Sequence, residues 1–301
     1  MNTSGEDLSA PTVMVGPALR VDAHHHLWHY RAEDLPWIDE AMAPLRRNFL
    51  VEDLQLELEE ANVDATVVVQ ARESVAETRW LLECARSAPE IRGVVGWVPL
   101  STDELPKLLD EFLSASQLVG FREVIQAKPD GYLEQAAFNR GIQQLTELGL
   151  AYDILIHERQ LVEAIHFVDR HPYQRFVLDH AAKPKILSRE VEPWKTHIRE
   201  LAQRPNVSCK ISGLATEADW QRWTIDSLRP YLDACVAAFG VERILAGSDW
   251  PVCLVASTYS HWWDVLGQYF KDFSVDEIER VFGRNAISFY DLPDTIATTC
   301  L

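Results

Sequence analysis

Short runs of β-branched and other apolar residues recur eight times along this 301-residue chain, and nearly every one precedes a longer amphipathic segment. The runs cover 19–24, 65–70, 93–98, 119–124, 151–156, 175–180, 207–212 and 243–249. Stretches such as ATVVVQ, GVVGWV, YDILI and RFVLD are almost continuous in apolar side chains, the pattern of strands buried on both faces. Helical periodicity fills the intervals at 51–61, 76–87, 105–114, 135–148, 161–169, 193–202 and 230–239. Only the connection at 27–50 lacks a helix directly after its strand; it is long and contains Trp28, Trp37, Pro36 and Pro44. Eightfold alternation predicts an α/β fold, a single-domain (β/α)8 TIM barrel over 19–301, behind a flexible N-terminal tail at 1–18. The rival is a doubly wound open sheet, but no Gly-rich fingerprint follows any strand, and an open sheet would scatter the polar strand ends. No repeat or linker divides the chain.

Composition narrows the partners. Acidic side chains number 46 against 28 basic ones, a formal charge of -18. That field repels a phosphate backbone and an anionic membrane surface, so neither is an expected partner. No apolar run reaches the roughly 20 residues that span a bilayer. The opening MNTSGEDLSAPTVMVGPALR has no basic n-region and does not read as a secretory signal. Cys84, Cys209, Cys235, Cys253 and Cys300 are dispersed and odd in number, which suits a reducing compartment, by default the cytoplasm.

Barrel chemistry sits at the C-terminal ends of strands. The first strand ends in Asp22-Ala23-His24-His25-His26, and alternation places His24 and His26 on one face with His25 on the other. Two such imidazoles can share a divalent ion or polarise one carbonyl. A histidine tag would sit at a terminus rather than behind an apolar strand. The sixth strand ends at His180 and the eighth in Gly247-Ser248-Asp249-Trp250-Pro251. Alone, His180 reads as a hydrogen-bonded structural group and Asp249 as a helix cap. Together, three imidazoles and a carboxylate form an N/O site suited to zinc or manganese.

Arg122 and Glu123 close the fourth strand, and regular alternation lets only one of them face inward; Arg122 could grip a carboxylate or hydroxyls, or serve a barrel-layer salt bridge. His157 and Glu158 follow the fifth strand. Lys210 lies inside VSCKISG, either a substrate ammonium or a buried partner of Asp249. Among the aromatic residues near predicted mouth loops (Trp28, Trp37, Trp97 and Trp250), Trp28 is the one placed to touch substrate.

The segments DAHHHLW, MAPLRRNFLVEDL, VVVQARESVAETRWLL, RGVVGWVPL, RFVLDHAAKP, NVSCKISGL and ILAGSDWPVC together resemble the sugar-acid lactonase branch of the amidohydrolase superfamily. That branch holds L-fuconolactonase-like, L-rhamnonolactonase-like and 2-pyrone-4,6-dicarboxylate lactonase-like enzymes. The likeness runs from about Arg20 to about Tyr290. It implies His24, His26 and His180 as the carbonyl-activating or metal-binding groups, Asp249 as acid/base and possible fourth ligand, and Arg122 as the branch's substrate-binding arginine. Two positions depart from the branch: Glu123 stands where His is common and His157 where Tyr is common. Both bear on substrate preference, and His157 offers a further ligand. The branch implies a divalent metal, zinc or manganese, whose requirement varies among members.

The resulting expectation is a carboxylic-ester hydrolase. Water, deprotonated by Asp249, attacks a lactone carbonyl, with Arg122, Trp28, His157, Lys210 and Glu123 as substrate contacts. A lactone isomerase, a metal-dependent decarboxylase and a non-catalytic sugar-acid binding protein stay as alternatives. The partner is a small-molecule lactone, with homo-oligomer formation left open.

Overall fold

A computed structural model describes residues 18–294; the expected tail up to residue 17, and Cys300, lie outside them. Eight parallel strands follow one another in sequence order: β1 (Val21–His25), β2 (Ala65–Val69), β3 (Ile91–Gly96), β4 (Leu118–Glu123), β5 (Ala151–Ile154), β6 (Phe176–Leu178), β7 (Val207–Ile211) and β8 (Ile244–Ala246). β8 returns to β1 through Asp249 N–H to His24 O (2.8 Å) and His26 N–H to Trp250 O (2.6 Å), which closes the barrel. The open-sheet alternative is thereby removed. Apolar strands on both faces are what closure demands, because one face meets the barrel interior and the other the helices.

The helices are α1 (Val51–Ala61), α2 (Val75–Ser87), α3 (Leu105–Phe112), α4 (Ala136–Glu147), α5 (Leu161–Arg170), α6 (Trp194–Leu201), α7 (Ile225–Phe239), α8 (Tyr259–Phe270), α9 (Val275–Glu279) and α10 (Asn285–Tyr290). Local chemistry starts them: the Asp53 carboxylate accepts from Leu50 N–H at the head of α1, and Ser74 Oγ accepts from Glu77 N–H at the head of α2. α7 begins before Pro230, the residue expected to open it, because Thr224 and Ser227 cap each other one turn upstream. The last three helices escaped the sequence reading. They matter, since Tyr290 and Leu292 join Val21, Val67, Val95 and Leu245 in the apolar cluster that fills the barrel's lower half.

Strands six and eight stop at Leu178 and Ala246, short of the expected His180 and Asp249. The chain there leaves strand geometry: His180 has φ 52° and Asp249 φ 59°, left-handed values that a ladder cannot hold. Among the described residues no helix is long and apolar enough to cross a membrane.

Candidate active site

A bulge in β1 aims the first two imidazoles. Asp22 pairs with Thr66 and His25 with Val68, so three steps along β1 span two along β2. His25 turns outward to Thr66 Oγ1 (3.0 Å), while His24 and His26 bring their Nε2 atoms within 3.3 Å of each other. The expected division of the HHH run between two faces is what the fold contains. Asp22 braces the bulge: its carboxylate accepts from His24 N–H (3.0 Å), Ser248 N–H (2.9 Å), Ser248 Oγ (2.6 Å) and Tyr259 OH (3.1 Å). β1 and the Ser248-Asp249 turn are thus fixed by one buried side chain. Burial still pushes that carboxyl up to about 6, the four donors opposing it.

Asp249 Oδ1 lies 3.3 Å from His26 Nε2 and 3.8 Å from the Nε2 atoms of both His24 and His180. Gly213 makes the approach possible: at φ 63°, a Cβ there would stand 2.8 Å from Asp249 Oδ2 and 2.8 Å from His180 Nδ1. Burial raises the Asp249 carboxyl, but His180, His26 and His24 together outweigh it and hold the group below the usual carboxylate range. Burial lowers His180 to about 4 and His24 well below the ordinary imidazole value, with Asp249 and Asp179 respectively opposing.

Hydrogen-bond partners orient the rings. His26 Nδ1 faces Val69 O at 2.7 Å, an acceptor only, so Nδ1 donates there and Nε2 is the nitrogen turned toward Asp249. His24 stands between two cations, with Arg122 Nη1 3.2 Å from its Nε2 and Lys210 Nζ 3.1 Å from its Nδ1, while Asp179 Oδ1 lies 3.3 Å from Nδ1. His180 Nδ1 is held by Ser212 Oγ at 2.9 Å. The Nε2 atoms of His24 and His26 and a carboxylate oxygen of Asp249 converge on one point. Ligands about 2.1 Å from a common tetrahedral centre stand about 3.4 Å apart, close to the spacings here, so the donor set fits a divalent cation. His24, His180 and Asp249 form one metal-capable group, and His24, Asp153 and Asp179 a second.

Below the imidazoles lies a sealed charged layer. Lys210 Nζ contacts Asp153 Oδ2 (2.5 Å), Asp179 Oδ1 (3.1 Å) and His24 Nδ1 (3.1 Å), and Arg122 Nη1 donates to Asp179 Oδ2 (3.0 Å). Tyr290 OH reaches both Asp153 oxygens from α10. Lys210 has no exposed surface and pairs with Asp153 and Asp179, not with the Asp249 partner that the sequence suggested.

Above the imidazoles opens a cavity of about 740 Å³, lined among others by His26, Trp37, Arg72, Glu73, Arg122, Lys128, Lys183, His180 and Asp249. The expected substrate contacts divide. Arg122 faces the cavity, while Glu123 points the other way, to Trp97 Nε1 (3.0 Å) and Lys128 Nζ (2.9 Å), as alternation along β4 requires. Trp28 is buried behind the wall, its Nε1–H donating to Arg47 O (2.9 Å) while its ring packs on Phe49; Trp37 of the same loop lines the cavity instead. His157 caps the Glu158–Gln160 turn and belongs to neither metal-capable group. The sequence reading missed Asp22, Asp153, Asp179, Glu73, Lys128 and Lys183. Asp22 and Asp179 stood in the quoted strand ends DAHHH and LDH; the loop residues carried no signal of their own.

A closed eight-stranded barrel with three imidazoles and a carboxylate at its mouth defines a hydrolase-type metal-capable site, and a family model described as amidohydrolase matches residues 21–292. The chain belongs to the amidohydrolase family. It is 38% identical over 289 residues to the L-fucono-1,5-lactonase of Burkholderia multivorans, covering 92% of this chain and 97% of that one. The L-fucono-1,5-lactonase of Burkholderia ambifaria is 36% identical over 278 residues, 90% and 95% of the two chains. A crystal structure of a Burkholderia multivorans amidohydrolase with bound zinc superposes with a TM-score of 0.88 at 38% identity, covering 92% of this chain and all of that one.

Proposed function

We propose that the chain hydrolyses a sugar-acid lactone of the fuconolactone or rhamnonolactone kind, with Asp249 as general acid/base. The observation that carries this reading is the Asp249 carboxylate set among three Nε2 atoms at the floor of a cavity of about 740 Å³, which has room for a monosaccharide lactone. The likeness to two L-fucono-1,5-lactonases, at 38% and 36% identity, supports the substrate class.

His24, His26, His180 and Asp249 would hold a zinc ion, as an amidohydrolase 38% identical to this chain holds one. When bound, the ion supplies Lewis-acid polarisation of the lactone carbonyl and lowers the pKa of a coordinated water. The Asp249 carboxylate takes a proton from the attacking water, whose oxygen joins the carbonyl carbon. Arg122, anchored by Asp179, keeps a fixed positive charge beside the developing oxyanion. The ring C–O bond then breaks, and Asp249 returns its proton to the departing alkoxide. The products are a hydroxyl group and a carboxylic acid that loses its proton to solvent. Trp37 offers an apolar face for the sugar ring, while Glu73 and Lys128 offer an acceptor and a donor for its hydroxyls. The four described cysteines are free and buried, which supports a reducing, cytoplasmic setting, and the likeness to sugar-acid lactonases supports a place in carbohydrate metabolism.

A panel of sugar lactones read by acid release, run on purified and chelator-treated protein with metal content measured, tests the reading. Polyhydroxy lactones should be opened, and Asp249→Asn should lower kcat by roughly 10²- to 10⁴-fold with an unchanged circular dichroism spectrum. Near-native turnover by that variant removes Asp249 from the role. Silence across the panel removes the lactonase assignment.

A further inference from the structure

Four cations line the cavity, and three of them are spoken for. Arg72 pairs with Asp34 (2.7 Å), Arg122 with Asp179 (3.0 Å), and Lys128 with both Glu73 (2.8 Å) and Glu123 (2.9 Å). Lys183 is the fourth, and among the described residues it makes no ion pair. In a chain of net charge -18, an unpaired ammonium inside a concave site is the exception to the pattern.

The backbone that delivers Lys183 is equally unusual. His180, Ala181, Ala182 and Lys183 hold φ of 52°, 48°, 60° and 49°, four consecutive left-handed residues without a glycine. Each such residue costs on the order of 1 kcal/mol or more, so the surroundings must impose the run. They do: Trp194 Nε1–H donates to Ala181 O (2.7 Å) and Lys183 N–H to His180 O (2.9 Å), with Ala181 and Ala182 fully buried. The turn sets Lys183 beside His180, near enough for its charge to depress that imidazole and to oppose the burial that raises the Glu217 carboxyl. Strain held in place at a cavity wall, carrying an ammonium that makes no ion pair among the described residues and sits next to the imidazole cluster, marks a ligand contact.

We infer that Lys183 binds the carboxylate that ring opening creates, so that the cavity recognises the open sugar-acid anion through Lys183 and the uncharged lactone through its paired side chains. The inference rests on the lactonase reading and adds which residue separates the two forms of the ligand. A lactone carries no net charge and finds at Arg72 and Lys128 donors already neutralised by carboxylates. Its product bears a full negative charge on the carbon that stood among the imidazoles, and Lys183 is the cation left to meet it. The same preference limits the affinity for lactones that already carry carboxylates, because only one unpaired cation is available.

The test compares the aldonate obtained by opening L-fucono-1,5-lactone with the lactone itself, at matched metal content. Lys183→Met should raise the dissociation constant of the aldonate, measured by calorimetry and as product inhibition, roughly 10- to 100-fold. The lactone KM should move by less than about threefold, and Lys183→Arg should retain aldonate binding. Lys183→Gln serves where the methionine variant folds poorly. Salt should weaken aldonate binding by the wild type and leave the Gln variant nearly unaffected. Equal aldonate affinity in wild type and both neutral variants, with lactone hydrolysis intact, overturns the assignment of Lys183 alone. A wild type that neither hydrolyses the lactone nor binds the aldonate overturns the lactonase reading and this inference with it.

Discussion

The imidazole cluster separates two polar layers built from the same residue types under opposite conditions. Beneath it, Asp153, Asp179 and Lys210 are completely buried; Arg122, nearly as buried, joins the layers, pairing with Asp179 below and facing the cavity above. Above it, Arg72 and Asp34 are about a third exposed, and Lys128 with Glu73 only slightly less. In the lower layer every charge has a partner, because an unpaired ion out of water is costly. In the upper layer water screens the pairs, so the chain tolerates an unpaired Lys183 there and can use it on a ligand. Stability and selectivity are thus written in the same chemistry at different depths. Changes below His24 should be read in unfolding experiments, and changes above it in KM and product affinity.

The sharpest break is Lys210→Met. It leaves Asp153 and Asp179 together with one fewer cation in a dry layer, and should cost about 3–5 kcal/mol in urea unfolding. The double variant Lys210→Met with Asp153→Asn should regain part of that loss, since it removes one orphaned anion. A loss under about 1 kcal/mol would mean that water reaches the layer and that the contrast of depths is false.

How much of this contrast could be read from the sequence follows from the same physics. Eight strands were legible because burial on both faces leaves continuous apolar runs, as in ATVVV of β2 and ILA of β8. The shared face of His24 and His26 was legible from alternation, and so was the opposition of Arg122 and Glu123. Lys210 stands out as a cation in an apolar strand, but its partners come from β5 and the turn after β6, and no local pattern names them. The mouth was least legible. Trp28 and Trp37 share one irregular loop, and only its folded path decides that Trp37 lines the cavity while Trp28 supports the wall. Lys183 depends on a left-handed turn that composition does not announce.

A buried titrating group beneath the mouth loop after β2 gives a middle-sized test. Glu77 is buried on α2 and accepts from the backbone N–H groups of Ala71 (3.3 Å) and Arg72 (3.0 Å), the loop that carries Arg72 to the mouth. Burial raises its carboxyl to about 7 against those donors and the nearby Arg72 charge. An acid whose folded value is raised binds its proton more tightly in the folded state. Its contribution is therefore most favourable below about 4.5 and is lost as pH rises toward about 7. Glu77→Gln keeps a carbonyl acceptor and has no proton to lose. Its stability relative to wild type should improve between pH 5 and pH 8 by up to about 3 kcal/mol. Parallel unfolding curves for the two proteins across that range would show that Glu77 is solvated like a mouth residue.

The smallest effect should come from the mouth itself. Arg72 Nη1 and Asp34 Oδ2, 2.7 Å apart, join the 27–50 connection to the turn after β2 and so help set the cavity's rim. With both side chains about a third exposed, Asp34→Asn should cost less than about 1 kcal/mol in unfolding. It also removes the nearer of Arg72's two counter-ions and leaves Glu77 at 3.9 Å. A less compensated cation would then face the cavity, and the upper layer's rule predicts a modest gain in affinity for anionic ligands. Aldonate product inhibition should strengthen by a few-fold while kcat stays within about twofold. A large fall in kcat, or a stability loss like that of Lys210→Met, would place Asp34 with the buried layer and erase the division on which selectivity at this mouth depends.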